Sequence, residues 1–194
     1  MEQEKKVILL AGPTASGKSK LALQLAKNLN GEIINADSMQ VYNEIFILTS
    51  RPTSYDTNIV KHYLYGFYSV KQKFSTGHWL KMVINKMKEQ WNQNRIPILV
   101  GGTGLYFKAL TDGLVTIPDI PNDLRTEIRE LHKKIGQKKF YNKLIKLDPM
   151  VKKFLLPSDS QRSMRAYEVK KLTNKSLFIF TKKTKSNFDN KIFK

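Results

Sequence analysis

The ten residues "AGPTASGKSK", Ala11 to Lys20, contain Gly12, Pro13, Thr14, Ala15, Ser16, Gly17, Lys18 and Ser19 in the spacing G-x-x-x-x-G-K-[ST]. Each fixed position has a mechanical reason. Glycines let the backbone curl until successive N–H groups point inward at phosphate oxygens, the lysine adds a mobile cation, and the serine hydroxyl can bind Mg²⁺. The flanks have the order such a loop needs. Lys5 to Leu10 reads as a short buried strand, and Leu21, Ala22, Leu25, Ala26 and Leu29 recur at helical spacing until Asn30-Gly31 ends the run. Nothing in the ten residues specifies what carries the phosphates.

Outward from the loop, the alternation of strand and helix continues. Glu32 to Asn35 reads as a second strand that delivers Asp37 just beyond its end. Trp79, Leu80, Val83, Ile84, Met87 and Trp91 mark an amphipathic helix, followed by a buried strand at Ile96 to Val100 and by Gly101-Gly102-Thr103-Gly104 opening a further helix from Leu105. Residues 46–78, mixed in polarity and rich in Tyr, read as irregular with short elements. This pattern predicts a parallel α/β sheet, in which ligands bind beyond the carboxyl ends of the strands. The glycine loop, Asp37 and Thr103 then converge on one edge.

From Ile117 onward the pattern is helical, introduced by a turn at Pro118 to Pro121. Leu124, Ile128, Leu131 and Ile135 share one face closed by Gly136; Phe140, Leu144 and Leu147 share another closed by Asp148-Pro149. Ser158-Asp159-Ser160 can cap a helix carrying Gln161, Arg162 and Arg165, with the two arginines on neighbouring positions of one face. The expected organisation is a core over 1–115, a helical insertion over 116–177 and a basic tail over 178–194.

Composition narrows the class. The 194 residues suit one core with a small appended part, and the absence of cysteine excludes disulfides and thiolate metal sites. No stretch approaches a membrane span, so a soluble, cytoplasmic protein is expected. The net charge of +18 divides as +6 over residues 1–100 and +12 over 101–194, which places any polyanionic partner mainly against the second half. A chain with 28 Lys, 6 Arg and much Asn and Ile also fits compositional drift with no binding role.

Local chemistry leaves three roles open for Asp37: an acid holding Mg²⁺ through water, a helix N-cap, or a general base. Only Ile33 and Ile34 precede it, and the stronger strand "IPILVGG" ends in glycine with no acid, which argues against ATP hydrolysis. Arg162 and Arg165 read either as a solvated face or as a clamp on phosphate oxygens.

Taken together, "GPTASGKS", "ADSMQVY", "ILVGGTGLYF" and "SDSQRSMRAYEV", in this order, resemble the tRNA dimethylallyltransferase (tRNA isopentenyltransferase) family over residues 7–177. The resemblance implies a phosphate-loop NTPase-like parallel-sheet core with an all-helical insertion. It also implies transfer of a dimethylallyl group from dimethylallyl diphosphate to the exocyclic amine of an adenosine beside the anticodon of tRNA. By position, Gly12 to Ser19 would bind the diphosphate, with Thr14, Lys18 and Ser19 closest to it and to Mg²⁺. Asp37 would accept the amine proton. Ser38, Met39 and Gln40 would line the pocket of the flipped adenine, and Thr103 would contact the tRNA beside the reaction. Gln161, Arg162, Ser163, Met164 and Arg165 would contact tRNA and close over the diphosphate, and Arg125 would be a further RNA contact. A monomer is expected, with the tRNA anticodon stem-loop as partner and Mg²⁺ as cofactor.

Two residues depart from the family pattern: Leu48 and Asn174 stand where glycine is usual. The family chain also continues for about half as many residues again, so a fragment or a decayed copy is implied, less stable and less active than an extended chain. The rival readings are a phosphate-loop kinase of a small molecule or nucleotide, with the arginines as lid residues, and an inactive RNA-binding remnant.

Overall fold

A computed structural model describes residues 5–115 and 117–180. Their contacts divide them into two compact units that meet at Gly113-Leu114 in the sequence.

The first unit carries one sheet of four parallel strands in the order β1 (Ile8–Ala11), β4 (Ile96–Gly101), β2 (Gly31–Asn35), β3 (His62–Tyr63). Helices separate the strands in sequence: α1 (Lys18–Asn28), α2 (Ser54–Ile59), α3 (Thr76–Asn92) and, after β4, α4 (Gly104–Asp112). Strand β4 is central. It pairs Ile98 with Ile8 on one side and with Ile33 on the other. Every residue of β2 and all but the first of β4 are buried, so both faces are covered, which is why β4 reads as an apolar run with no alternation. Ala22 and Ala26 of α1 pack with Ile33, Ile98 and Val100 on one face. Period-two alternation turns Ile34 and Leu99 to the other face. The buried residues Trp79, Leu80, Val83 and Met87 of α3 mark that helix's inward stripe.

The amphipathic α3 follows its apolar spacing, but Gln90 also lies buried on it, with neither amide atom bonded among the described residues. In α1 the inward face is narrower than the sequence predicts. Leu21 and Leu29 are exposed, and the two small alanines alone are buried, which lets that helix approach the sheet closely. The stretch 46–78 does contain short elements. Helix α2 is started by a reciprocal cap between Thr53 and Asp56, and β3 adds two residues to the sheet.

The second unit is helical. Its long helix α5 (Asn122–Leu147) is broken at Gly136, whose φ of 73° and ψ of 163° lie outside the helical range, so the two apolar faces read from the sequence belong to two helices meeting there. A 3₁₀ turn (Pro149–Lys153) leads to α6 (Ser160–Thr173) and the short α7 (Leu177–Phe180). Ile128, Phe140, Tyr141, Leu144, Val151, Leu155, Ala166 and Tyr167 form its core. The Tyr141 hydroxyl donates to the Leu155 carbonyl at 2.8 Å, satisfying a polar tip that would otherwise be buried alone. Asn174 closes α6 in the left-handed region at φ 56°, a conformation Asn tolerates better than other side chains do. Of the expected basic tail, residues 181–194 lie outside the described residues.

Candidate functional site

The turn between β1 and α1 has the backbone an anion site requires. Ala15 and Gly17 take positive φ, 63° and 81°, and Gly17 occupies the N-cap with no side chain capping the helix, so the first N–H groups of α1 are left for a ligand. No acidic residue sits in that first turn; it carries Lys18 and Lys20 instead. Cations beside the positive end of a helix are unfavourable unless an anion joins them. The Lys18 ammonium donates to the Pro13 carbonyl and, at 3.2 Å, to the Ser16 hydroxyl, which holds it over the loop.

Asp37 arrives from β2 on a braced turn. Asn35 is wholly buried; its Oδ1 accepts from the Asp37 N–H at 2.8 Å, and its Nδ2 donates to the carbonyls of Asp37 and Leu64 at 2.9 and 3.0 Å. The Trp79 indole N–H donates to the Asn35 carbonyl at 2.8 Å, and Trp79 stacks on Tyr106 with ring centroids 4.2 Å apart. Asp37 caps no helix, which removes that alternative. Its Oδ1 accepts from the Met39 N–H at 2.9 Å in a side-chain-closed turn, and residues 38–50 are turns and bends apart from one bridge of Tyr42 to Tyr68. Oδ2 makes no hydrogen bond among the described residues.

Thr103 stands at the N-cap of α4, yet its side chain does not cap that helix. Its Oγ1 accepts from the Ser38 N–H at 2.9 Å and donates to Ser38 Oγ at 3.2 Å, while its own N–H donates to the Ala36 carbonyl at 3.2 Å. Within this unit Thr103 is therefore a positioning residue for the Asp37–Gln40 turn. Close backbone approach makes this possible: a Cβ on Gly101 would stand 2.1 Å from the Ala36 carbonyl carbon and oxygen.

These parts meet at a cleft of about 740 Å³, lined by Thr14 to Lys20, by Asp37, Met39 and Gln40, and by Ile45, Leu48, Thr49, Ser50, Pro52, Tyr65, Val100 and Gly101. Gly12, Pro13, Ser38 and Thr103 are not among the lining residues. The sequence reading missed the side formed by residues 45–52 and Tyr65, because an irregular segment carries no periodic signal. Burial, with the nearby Asp37 carboxylate adding to it, raises the Tyr65 phenol well above the ordinary tyrosine value. Among the described residues no three His, Cys, Asp or Glu gather to hold a metal ion. The available donor is the exposed Ser19 hydroxyl at the start of α1, which suits a Mg²⁺ ion that shares its coordination with a phosphate rather than a protein cage.

The family model described as "IPP transferase" matches residues 40–194. The chain belongs to the IPP transferase family. A tRNA dimethylallyltransferase of Pelagibacter ubique is 53% identical over 193 residues, covering 100% of this chain and 62% of that protein. One of Rickettsia massiliae is 52% identical, covering 92% of this chain and 49% of that protein. Among solved structures, a eukaryotic dimethylallyltransferase acting on tRNA is similar at a TM-score of 0.79 and 30% identity, covering 93% of this chain and 45% of that one. The full-length tRNA isopentenylpyrophosphate transferase of Bacillus halodurans is similar at 0.57 and 35%, covering 90% and 57%. The chain thus spans about half to three fifths of its relatives' length, and it shares their α/β fold.

The remaining predicted residues lie in the second unit. Asp159, rather than either neighbouring serine, caps α6, accepting from the Arg162 N–H at 3.0 Å. The Arg162 guanidinium is 3.5 Å from the Asp159 carboxylate, and Arg165 is 3.3 Å from Glu168. Gln161 is exposed. Ser163 corrects the expectation of an RNA contact: it is fully buried, donating to the Asp159 carbonyl at 2.6 Å and accepting from Gln137, which makes it part of the packing of α6 on α5. Met164 packs against the helical core. Arg125 is half-buried, and its Nε has no hydrogen-bond partner among the described residues. Among the described residues, no helix is long and apolar enough to cross a membrane.

Proposed function

We propose that this chain transfers a dimethylallyl group from dimethylallyl diphosphate to the exocyclic amine of an adenosine beside the anticodon of tRNA. One observation carries the reading: an anion-binding loop and a carboxylate with a free oxygen line the same cleft, and no acid follows the central strand β4. The names of its relatives support it.

In this reaction the allylic carbon–oxygen bond breaks, and its electron pair leaves with the diphosphate. The amine nitrogen forms the new carbon–nitrogen bond, and its proton passes to Asp37 Oδ2. Loop N–H groups and Lys18 meet the charge growing on the leaving oxygens, as groups fixed before the reaction starts. The Ser19 hydroxyl would hold a Mg²⁺ ion, which would supply further charge neutralisation there. An amine conjugated to an aromatic ring is a poor nucleophile, so a carboxylate at hydrogen-bond reach is worth roughly 10²- to 10⁴-fold. The adenine must first leave its stack, which a single-stranded loop permits at lower cost than a duplex. Thr103 keeps the Ser38–Gln40 turn in place for the base. Gln161, Arg162, Arg165 and Arg125 supply the polar and cationic contacts to RNA, with the arginines exchanging acidic partners for phosphates. The working protein is a cytoplasmic monomer.

The test is incubation of the chain with labelled dimethylallyl diphosphate, Mg²⁺ and an anticodon stem-loop. Label in RNA is expected. Tight Mg²⁺-dependent ATP binding, with no competition by dimethylallyl diphosphate and no label in RNA, would return the cleft to the kinase reading.

A further inference from the structure

Asp37 stands two residues beyond the end of β2, where strand pairing no longer holds the backbone. Two peptide groups flank it, and each of their four polar atoms has a partner. On one side is Thr103, whose N–H donates to the Ala36 carbonyl at 3.2 Å and whose Oγ1 accepts from the Ser38 N–H at 2.9 Å. On the other is the wholly buried Asn35. Its Oδ1 accepts from the Asp37 N–H at 2.8 Å, and its Nδ2 donates to the Asp37 carbonyl at 2.9 Å. Among the described residues nothing else bonds these two Asp37 atoms. The Asn35 amide is itself anchored. Nδ2 also donates to the Leu64 carbonyl at 3.0 Å, and the Trp79 indole N–H donates to the Asn35 carbonyl at 2.8 Å. Leu64 holds φ at 63°, in the left-handed region that a bulky side chain rarely enters. Such a conformation persists only where the surroundings fix it, and here it accompanies the bond to Asn35.

We propose that Asn35 is a positioning residue for prenyl transfer: buried away from both substrates, its amide sets where the Asp37 carboxylate stands. This rests on the proposed reading of Asp37 as the base. A base must lie within about 2.6 to 3.2 Å of the atom whose proton it takes. A misplacement of about 1 Å, caused by a change that touches no substrate, costs roughly 100-fold. Asn35 is suited to prevent it, because one rigid amide grips the N–H and the carbonyl of the same residue, and with them the two backbone torsions that aim the carboxylate.

The test is a cycle of wild type, Asn35→Ala, Asp37→Asn and the double variant in the labelled stem-loop assay. Asn35→Asp is added as a milder change that keeps the shape and the Oδ1 acceptor and loses the amide donor. Binding of inorganic diphosphate with Mg²⁺ checks that each variant keeps the loop and its fold. In Asn35→Ala, kcat should fall about 10- to 100-fold while KM for the stem-loop and for dimethylallyl diphosphate holds; Asn35→Asp should lose less. In the Asp37→Asn background the same alanine should cost no more than about twofold, because the carboxylate it would misplace is gone. An equal loss in both backgrounds overturns the proposal and returns Asn35 to packing. Wild-type kcat in Asn35→Ala overturns it too, as does loss of diphosphate binding in both Asn35 variants. Full turnover by Asp37→Asn, or a wild-type chain that puts no label in RNA, overturns the underlying reading and the proposal with it.

Discussion

Replacing Gly101 by alanine tests the backbone geometry on which the site depends. The added methyl would lie 2.1 Å from the carbonyl carbon and oxygen of Ala36 and 2.7 Å from the Asp37 nitrogen, all backbone atoms with no rotamer to escape into. Strand β4 must move away from the end of β2 by about 1.5 Å to restore ordinary contact. Two hydrogen bonds cross that gap, Ala36 N–H to the Val100 carbonyl at 2.8 Å and Thr103 N–H to the Ala36 carbonyl at 3.2 Å, and both lengthen beyond use. Each is worth about 1 kcal/mol, and overpacking adds about 1 to 3 kcal/mol, so a loss of about 3 to 5 kcal/mol is expected. Urea melts followed by circular dichroism measure it. Gly104→Ala is the control: a Cβ there meets nothing within 4 Å, so stability should hold or rise by about 0.4 to 1 kcal/mol. A Gly101→Ala midpoint indistinguishable from wild type would refute the claim that close approach of β2 and β4 sets the positions of Asp37 and Thr103.

Asp37→Asn keeps a side chain that can still accept from the Met39 N–H but cannot take a proton, so prenyl transfer should fall roughly 10²- to 10⁴-fold with stem-loop affinity unchanged; full turnover in a labelled-RNA assay would remove Asp37 as the base. Alkaline stability should decline, because burial above all raises the phenols of Tyr63 and Tyr106 from 10.0 to about 12. For such groups the folded state keeps the proton longer, so their contribution is complete below pH 10 and is lost as the pH rises toward 12. Urea midpoints against pH, with tyrosinate absorbance as the local probe, should show this slope, and Tyr106→Phe should reduce it; an identical slope in that variant would deny the role of burial at this residue.

The parts of the fold visible in the sequence are those whose cause is local. Strand, glycine loop and helix were legible because backbone curvature at Gly12 and Gly17 needs particular residues at fixed spacing. The break at Gly136 was legible because two apolar faces fall out of phase there. The bond that Thr103 makes was not: one hydroxyl after two glycines says nothing about its crossing to Ser38, 65 positions away. Ser163 misled for a related reason, since the helical spacing of Arg162 and Arg165 says nothing about which intervening residue turns inward to Gln137.

The side of the cleft at residues 45–51 was the least legible part, and the physical reason bears on function. Its shape comes from tertiary contacts, Gln40 to Thr49, Arg51 to Asn43 and Arg51 against Gly66, none of which leaves a period in the sequence. Anchoring phosphates and moving a proton require particular chemical groups at particular places, and those groups announce themselves as a glycine loop or an isolated acid. Closing the rest of a cleft requires only shape, which any apolar residue can supply wherever the backbone is held. A chain can therefore disclose a glycine loop in ten residues and still conceal, in a tyrosine-rich stretch without periodicity, the wall that completes the cleft.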